Sequence, residues 1–159
     1  MSEPRVERLA ASELDLIRPL LVDLNLLEQT YYAEHPQLSR AEVESGLGGL
    51  EPHFVGENVI LCVREADGAR LAGFCWVVLF DPGTGLEGEV AEVFVAEDHR
   101  QEGVGRALLA AAVAIFEERG VTLGYVWTRA ANEAATALYQ HAGFSPTKQV
   151  VMSWYPTER

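Results

Sequence analysis

The apolar positions near the start of the chain change from the period of a strand to the period of a helix. The stretch "RVERL", residues 5–9, alternates apolar and charged side chains and predicts a first strand. Ser12 is a candidate N-cap for the helix that follows. The apolar positions of that helix recur at helical spacing: Leu14, Ile17, Leu20, Leu21 and Leu24. Pro19 falls inside the pattern, so we expect a kink or a late start.

The middle of the chain predicts a short helix and then three strands. Ser39 and Glu42 have the spacing of a capping box, which predicts a second, weaker helix. The runs "NVILCVRE" and "RLAGFCWVVLF" predict two strands, and the Asp67-Gly68 step between them predicts a hairpin turn. After the connector "DPGTGLEG", the run "EVAEVFVAE" predicts a third strand.

The remaining segments alternate between helix and strand. A helix is predicted from about Gly103 to Arg119, with Gly120 as its C-cap. The run "VTLGYVWTR" predicts a strand, and "NEAATALYQHAGF" a helix capped by Asn132 and stopped by Gly143. The run "QVVMSWY" predicts a closing strand. Hairpins followed by strand–helix–strand crossovers indicate an α/β (α+β) fold, a single mixed, mainly antiparallel central sheet flanked by about four helices. No linker interrupts residues 1–159, which we interpret as one domain.

Charge and composition narrow the classes of partner. The net charge is −12 and Lys148 is the one lysine, so a nucleic-acid-binding role is disfavoured. The acidic balance weakly favours a cationic substrate, although on charge alone surface acids that maintain solubility are the better explanation. No apolar run is long enough to span a bilayer, and the charged start "MSEPRVERLA" predicts a cytoplasmic protein. Cys62 and Cys75 lie in apolar runs and are expected to be buried free thiols.

Two glycines lie in a turn at the start of the helix predicted from about Gly103 to Arg119, directly after a predicted strand. Gly103 and Gly105 would allow a phosphate to approach the unpaired N–H groups of that helix. A P-loop is excluded because it needs a lysine directly after its last glycine, and the one lysine of the chain is Lys148. A Rossmann fingerprint is weak because Leu108 occupies its third glycine position. From the glycines alone, a phosphate site and a plain turn remain equally good interpretations.

Two motifs together resemble a known family. "RQEGVG", residues 100–105, matches the R/Q-x-x-G-x-G/A pattern of the GNAT-family N-acetyltransferases, and "NEAATALYQHAGF" resembles the family's next motif, N-x-x-A-x-x-x-Y-x-x-x-G-F. One predicted strand separates the motifs, as in the family, and the resemblance covers essentially the whole chain. It implies acetyl-CoA as the donor and a primary amine of a small molecule or peptide as the acceptor, with direct transfer in a ternary complex.

The resemblance also implies a set of cofactor-binding residues. The strand that precedes the glycine turn would pair its edge with the pantetheine arm of acetyl-CoA, and the turn would hold the pyrophosphate. The expected cofactor-binding residues are Val93, Phe94, Val95, Arg100, Gln101, Glu102, Gly103, Val104, Gly105, Arg106, Asn132, Ala135 and Tyr139.

Three residues are candidates for the chemistry. Glu92 matches a position that is often acidic in the family and is the first candidate for the base, followed by Glu89. Regular pleating would place these two carboxylates on opposite faces, so at most one should face the substrate unless a bulge intervenes. Tyr139 lies at the family's position for protonating the departing thiolate; without that resemblance it would be an ordinary core aromatic.

The acceptor side is less well determined by the sequence. The connector "YYAEHP" lines the acceptor site in the family, so Tyr31, Tyr32 and His35 are candidate substrate-binding residues. No metal site is expected. The family often has two strands after "GF" and only one is evident here, so a homodimer could complete the acceptor wall. Two other classes stay open: a catalytically silent acyl-CoA sensor or interaction module, and a Rossmann-like nucleotide-binding protein.

Overall fold

The computed structural model describes residues 3–32, 36–50 and 54–154. It contains five strands: β1 (Val6–Arg8), β2 (Glu57–Arg64), β3 (Leu71–Phe80), β4 (Glu87–Val95) and β5 (Leu123–Val126). Four α-helices are described: α1 (Arg18–Gln29), α2 (Arg40–Gly46), α3 (Val104–Arg119) and α4 (Glu133–His141). Short 3-10 helices span Ala11–Ile17 and Glu97–His99.

The five strands form one sheet in the order in which they occur along the chain. Strands β1 to β4 pair antiparallel with their neighbours, and β5 pairs parallel with β4. The parallel step follows from the α3 crossover, which returns the chain to the same end of the sheet. The expected mixed, mainly antiparallel sheet with four flanking helices is therefore confirmed.

Helices cover both faces of the sheet and create two separate apolar layers. Leu108, Leu109 and Phe116 of α3, with Tyr139 of α4, pack on one face. Ile17 and Leu20 begin the layer on the opposite face, which also includes Phe74 and Trp76. Strand β3 is buried from Leu71 to Leu79 because both layers cover it, which explains why its sequence is continuously apolar rather than alternating.

Most of the predicted element ends agree with the structure. Pro19 lies in the first turn of α1, so the helix starts late, after a 3-10 segment. The capping box of Ser39 and Glu42 is formed at α2. Gly120 is the left-handed C-cap of α3.

Two of the sequence predictions are wrong. Ser12 does not cap a helix: it lies inside the 3-10 segment, whose N-cap position is Ala10 and has no side-chain cap. The closing strand predicted from "QVVMSWY" is not formed over residues 149–154, and its last residue, Tyr155, lies outside the described residues. Val150, Met152 and Trp154 are instead exposed. The β-branched composition was insufficient because strand formation also requires a paired neighbour.

Strand β4 contains a bulge that divides it into two parts. Trp76 of β3 pairs with Glu92, whereas the next residue, Val77, pairs with Val90, so Ala91 is the extra residue. The pairing of β4 with β5 also ends at this point, at Val90 opposite Val126. The second half of β4 therefore pairs with β3 alone, and its other edge is open within the described parts of the chain.

On the N-terminal side of the bulge, β4 and β5 are held together by a close contact between the Phe116 ring and two glycines. Gly88 and Gly124 lie opposite each other in the two strands. A Cβ atom at Gly88 would lie within 2.8 Å of three atoms of the Phe116 ring, and one at Gly124 within 2.9 Å of two. Both glycines are therefore required for α3 to approach the sheet. Among the described residues, no helix is long and apolar enough to cross a membrane.

We expect Gly88→Ala to lower the free energy of unfolding by about 1–3 kcal/mol, because the added methyl group overlaps the Phe116 ring. Gly49→Ala is the matched control, since a Cβ there meets nothing within 4 Å. Chemical denaturation measures both. Combining Gly88→Ala with Phe116→Leu should recover part of the loss, and equal stabilities of the two glycine variants would contradict the assignment.

Candidate functional site

The bulge at Ala91 places Glu89 and Glu92 on the same face of the sheet. Glu89 is opposite Val78 and Glu92 is opposite Trp76, and both of these β3 residues belong to the layer beneath α1. The expectation from regular pleating, that the two carboxylates point to opposite faces, does not hold because the bulge adds one residue between them. Both candidate bases therefore face the α1 side.

Glu92 has an unusual electrostatic environment. Burial, together with the negative charges of Glu28 and Glu89, raises the pKa of its carboxyl group to about 7. Glu28 lies near the end of α1, so this helix brings a third carboxylate to the same region. A carboxyl group with a pKa near neutrality is suited to accept and release protons under ordinary conditions.

The second half of β4 offers an open backbone edge next to these carboxylates. Val93 and Val95 contact the apolar layer of α3, and Phe94 is buried in the opposite layer. Residues 127–132, which follow β5, form no strand beside them. An extended ligand could pair with this edge as an added strand.

The glycine turn has the geometry of an anion cradle. Gly103 is the N-cap of α3 in the left-handed region, with φ 83°, and α3 has no side-chain cap. A Cβ at Gly103 would meet nothing within 4 Å, so space is open in front of the helix. Gln101 also has a positive φ of 67°. The first N–H groups of a helix have no intrahelical partners, and over the described residues no side-chain cap satisfies them here.

The other residues of the turn have separate roles. Val104, the first residue of α3, is buried in the apolar layer of that helix. Gly105 packs closely on α4, since a Cβ there would lie 3.2 Å from Leu138 Cδ2. The Glu102 Oε2 accepts a hydrogen bond from His99 Nδ1 at 2.9 Å. The Glu102 carboxylate is therefore the main cause of the raised pKa of His99.

Two arginines flank the cradle. The Arg100 Nε donates to the carbonyl of Val95 at 3.4 Å, and its guanidinium lies 5.8 Å from the centre of the Phe94 ring. Arg106 is exposed and lines a groove of about 590 Å³ between α3 and α4. Gly103 lies at the same groove, which continues along small residues of α3 toward His141. The groove could therefore receive the part of a nucleotide that extends beyond its phosphates.

Tyr139 lies in the last turn of α4, on the face of the sheet opposite the carboxylates. Its side chain is buried and its ring packs edge-on against Phe144 at 6.2 Å. Burial raises the pKa of its hydroxyl to about 12, with further contributions from Cys75 and Glu92. The contribution of Glu92 shows that the two groups lie within electrostatic reach of each other. The hydroxyl is therefore protonated at neutral pH.

Asn132 and Ala135 shape the beginning of α4. The Ala135 N–H donates to Asn132 Oδ1 at 3.1 Å, so the predicted cap is formed. Cys62 and Cys75 are buried free thiols, as predicted. Burial raises the pKa of the Cys75 thiol to about 12, which makes it a poor nucleophile.

An aromatic cluster, which sequence analysis identified only in part, lies just after α1. Tyr31 and Tyr32 follow α1, and both rings lie against the guanidinium of Arg129, with centroid distances of 4.3 and 4.5 Å. Arg129 comes from the segment after β5, so the cluster joins two distant parts of the chain. His35 and its neighbour Glu34 lie outside the described residues.

Sequence reasoning missed Glu28, Tyr125 and Arg129. Tyr125 pairs with Glu89 and packs against Trp127 at 5.7 Å between ring centroids. Glu28 lies one helical turn before Tyr31, a spacing that could have revealed it once the site was suspected. Nothing in the sequence around Arg129 indicates its position. Over residues 3–32, 36–50 and 54–154, no cluster of three or more His, Cys, Asp or Glu residues could hold a metal ion.

Comparison with known proteins places the chain in a family. The model of the acetyltransferase (GNAT) family matches residues 24–144. A mycothiol acetyltransferase of Kocuria rhizophila is 34% identical over 121 residues, which is 71% of this chain and 38% of that protein. A mycothiol acetyltransferase of Clavibacter michiganensis is 35% identical over 119 residues, 71% of this chain and 35% of that protein. The chain therefore spans less than two fifths of these relatives.

Solved structures support the same fold over the full chain. A probable acetyltransferase superposes with a TM-score of 0.71 at 22% identity, covering 98% of this chain and 99% of the other. A putative acetyl transferase from Pyrococcus furiosus gives a TM-score of 0.69 at 19% identity, covering 98% and 100%. At these identities the likeness concerns the fold alone.

The environment of Glu92 predicts a pH-dependent stability difference between the native protein and Glu92→Gln. The folded pKa of about 7 exceeds the ordinary value of 4.5, so the unfolded chain releases a proton that the folded chain retains between these two pH values. Stability of the native protein should fall as the pH rises through this window. The glutamine variant lacks this penalty, so it should become relatively more stable, by on the order of 3 kcal/mol above pH 7.

Urea denaturation at a series of pH values measures this difference. Glu118→Gln, on an exposed part of α3, is the control for the removal of a carboxylate elsewhere in the chain. A constant difference between Glu92→Gln and the native protein across the window would show that the carboxyl group is not desolvated.

Proposed function

Because the chain belongs to the acetyltransferase (GNAT) family, we propose that it is an acetyl-CoA-dependent N-acetyltransferase that acts on a primary amine. The observation that supports this most strongly is the division of β4 at Ala91. It provides an open strand edge for an extended donor beside a carboxyl group of near-neutral pKa. Acetyl-CoA, when bound, would supply the acetyl group as a thioester that an amine can attack.

The donor site would be formed by the edge of β4 and the glycine turn. Backbone groups of Val93 and Val95 would hold the pantetheine arm, next to the buried Phe94. The uncapped N–H groups of α3 would hold the pyrophosphate, with Arg100 and Arg106 as charge partners. The fit is supported by the open space at Gly103 and by the absence of carboxylate partners for both arginines in the described chain.

Glu92 would remove a proton from the acceptor. An alkylamine is mostly protonated at neutral pH, with a pKa of about 10, and must lose a proton before it can attack. Above its own pKa of about 7 the Glu92 carboxylate can take that proton, directly or through water. Glu89 and Glu28 would favour the approach of a cationic amine, because their negative charges face the same region.

Tyr139 would stabilise the sulfur that departs. Its hydroxyl, with a pKa of about 12, stays protonated and can donate a hydrogen bond to a thiolate. A thiol has a pKa of about 8.5, so complete transfer of the proton from Tyr139 is uphill. We therefore assign to Tyr139 the stabilisation of the developing charge, with protonation of the thiolate following.

The identity of the acceptor is left open between a small molecule and a peptide amine. The relatives that match by sequence are named mycothiol acetyltransferases, which favours a small-molecule acceptor. Tyr31 and Tyr32 would line the acceptor side, with His35 as a further candidate. A homodimer stays a prediction, supported by the edge position of β5 and the exposed Val150 and Trp154.

Binding of the donor tests the proposal first. Acetyl-CoA at a hundred times its dissociation constant should stabilise the protein by about 2.7 kcal/mol and raise the melting temperature by a few degrees. NAD and ATP should have no comparable effect. Gly103→Val should abolish the response, because the new side chain is incompatible with φ 83° and would occupy the open space, whereas Gly49→Val is the control. A response to NAD or ATP alone would contradict the proposal.

Turnover distinguishes an enzyme from a catalytically silent acyl-CoA-binding module. Glu92→Gln and Tyr139→Phe should each reduce kcat about 100-fold while the acetyl-CoA response in melting persists, because the first removes the group that accepts the proton and the second the hydroxyl that donates a hydrogen bond to the thiolate. The rate of the native protein should rise with pH to a plateau above about 7, and Glu92→Gln should lack this rise. Release of free thiol measures the rate, with Glu118→Gln as control. Binding of acetyl-CoA without turnover of any amine would favour the silent module.

A further inference from the structure

Among the arginines that the structure describes, Arg129 differs from most in having no carboxylate partner within the described residues. The protein has 24 acidic residues and 12 basic ones, so an arginine easily finds a carboxylate. Six of the ten described arginines do so: Arg8, Arg18, Arg40, Arg64, Arg70 and Arg119. The other four are Arg5, Arg100, Arg106 and Arg129. Arg100 and Arg106 flank the glycine turn, where an anionic ligand is expected, and Arg5 is exposed near the N-terminus.

The guanidinium of Arg129 contacts two aromatic rings and donates no hydrogen bond to any residue that the structure describes. The rings of Tyr31 and Tyr32 lie 4.3 and 4.5 Å from it. Such contacts with ring faces restrain the plane of the guanidinium and leave its N–H groups at the edge. Within the described parts of the chain, no carbonyl or carboxylate accepts a hydrogen bond from this side chain. A restrained guanidinium with unused donors fits a carboxylate, which it can bind through two parallel hydrogen bonds.

The position of Arg129 relates this group to the proposed acceptor site. Tyr31 follows Glu28 by one helical turn, and its N–H donates to the Glu28 carbonyl at 3.0 Å. The Glu28 carboxylate acts on the pKa of Glu92. On the other side, Arg129 follows β5, whose Tyr125 pairs with Glu89. The two segments that form the Arg129 cluster are therefore continuous with α1 and β5, the elements that carry Glu28 and the partner of Glu89.

We propose that Arg129 is a specificity-determining residue that binds a carboxylate of the acceptor, so that the acceptor is an amine that also carries a carboxylate. This inference rests on the proposed acetyltransferase function. The acceptor would be oriented from its two ends, with its ammonium group toward Glu28, Glu89 and Glu92 and its carboxylate on Arg129. The opposite charges of the two ends would reject plain amines and plain acids alike.

The test compares acceptors that differ only in the carboxylate. The probes are ω-amino acids of increasing length, from glycine to ε-aminocaproate, each paired with its primary amide, and triglycine with its amide to represent peptides. The rate is the release of free thiol from acetyl-CoA. For at least one pair we expect the native protein to have a kcat/KM at least ten-fold higher for the carboxylate than for the amide. The length at which the preference is largest reports the separation of the two charged groups.

Arg129→Gln should reduce this ratio at least ten-fold, and Arg129→Lys should retain part of it because the positive charge remains. Arg5→Gln is the matched control, since it removes an exposed arginine that also lacks a carboxylate partner, and it should keep the ratio. A folded variant is established by its melting temperature and by its stabilisation with acetyl-CoA.

Three results would overturn the inference: no preference for the carboxylate in any pair, an unchanged ratio in Arg129→Gln, or no turnover of any probe. A persistent acetyl-CoA response and turnover of other amines, such as polyamines, would then leave the proposed function intact. Equal losses for acids and amides in Arg129→Gln would show that the cluster only holds the connector after α1. If only triglycine is preferred over its amide, the acceptor is a peptide. If only the short amino acids are preferred over their amides, the acceptor is a free amino acid.

Discussion

The division of β4 at Ala91 is the constraint on which the candidate site depends. Because one extra residue is inserted there, Glu89 and Glu92 lie on one face, although three positions separate them. At the same point β5 stops pairing with β4. The edge of β4 that faces away from β3 then has no neighbouring strand in the described parts of the chain. A regular strand would have provided neither the paired carboxylates nor the open edge.

Other parts of the structure keep this division in place. The Phe116 ring of α3 lies on Gly88 and Gly124, which joins β4 and β5 directly below the bulge. Above it, Val93 and Val95 pack on the α3 layer, so the second half of β4 stays with β3. Helix α3 thus holds the joined part of the two strands, and its uncapped N-terminus forms the glycine turn beside the open part.

The electrostatics of the site follow from burial combined with an excess of acids. Glu92 is partly buried and lies within electrostatic reach of Glu28 and Glu89, which makes its ionised form costly. Among the described residues, no cation contributes to the pKa of Glu92, and the guanidinium of Arg129 is stacked on Tyr31 and Tyr32. Such an arrangement of separated charges is typical of a site whose charges are completed by a ligand.

The sequence by itself determined the types of the strands and helices that do form, the capped ends of α2, α3 and α4, and the two motifs that identify the family, because these depend on residues close together along the chain. It also indicated Glu92 and Tyr139, since each lies within or near a motif. Only the tertiary structure decided that Glu89 and Glu92 share a face, because a bulge depends on the pairing of two strands and not on the composition of one. It likewise decided that residues 149–154 form no strand, and that Arg129 meets Tyr31 across nearly a hundred residues. Long-range contacts of this kind leave no periodic pattern in the sequence.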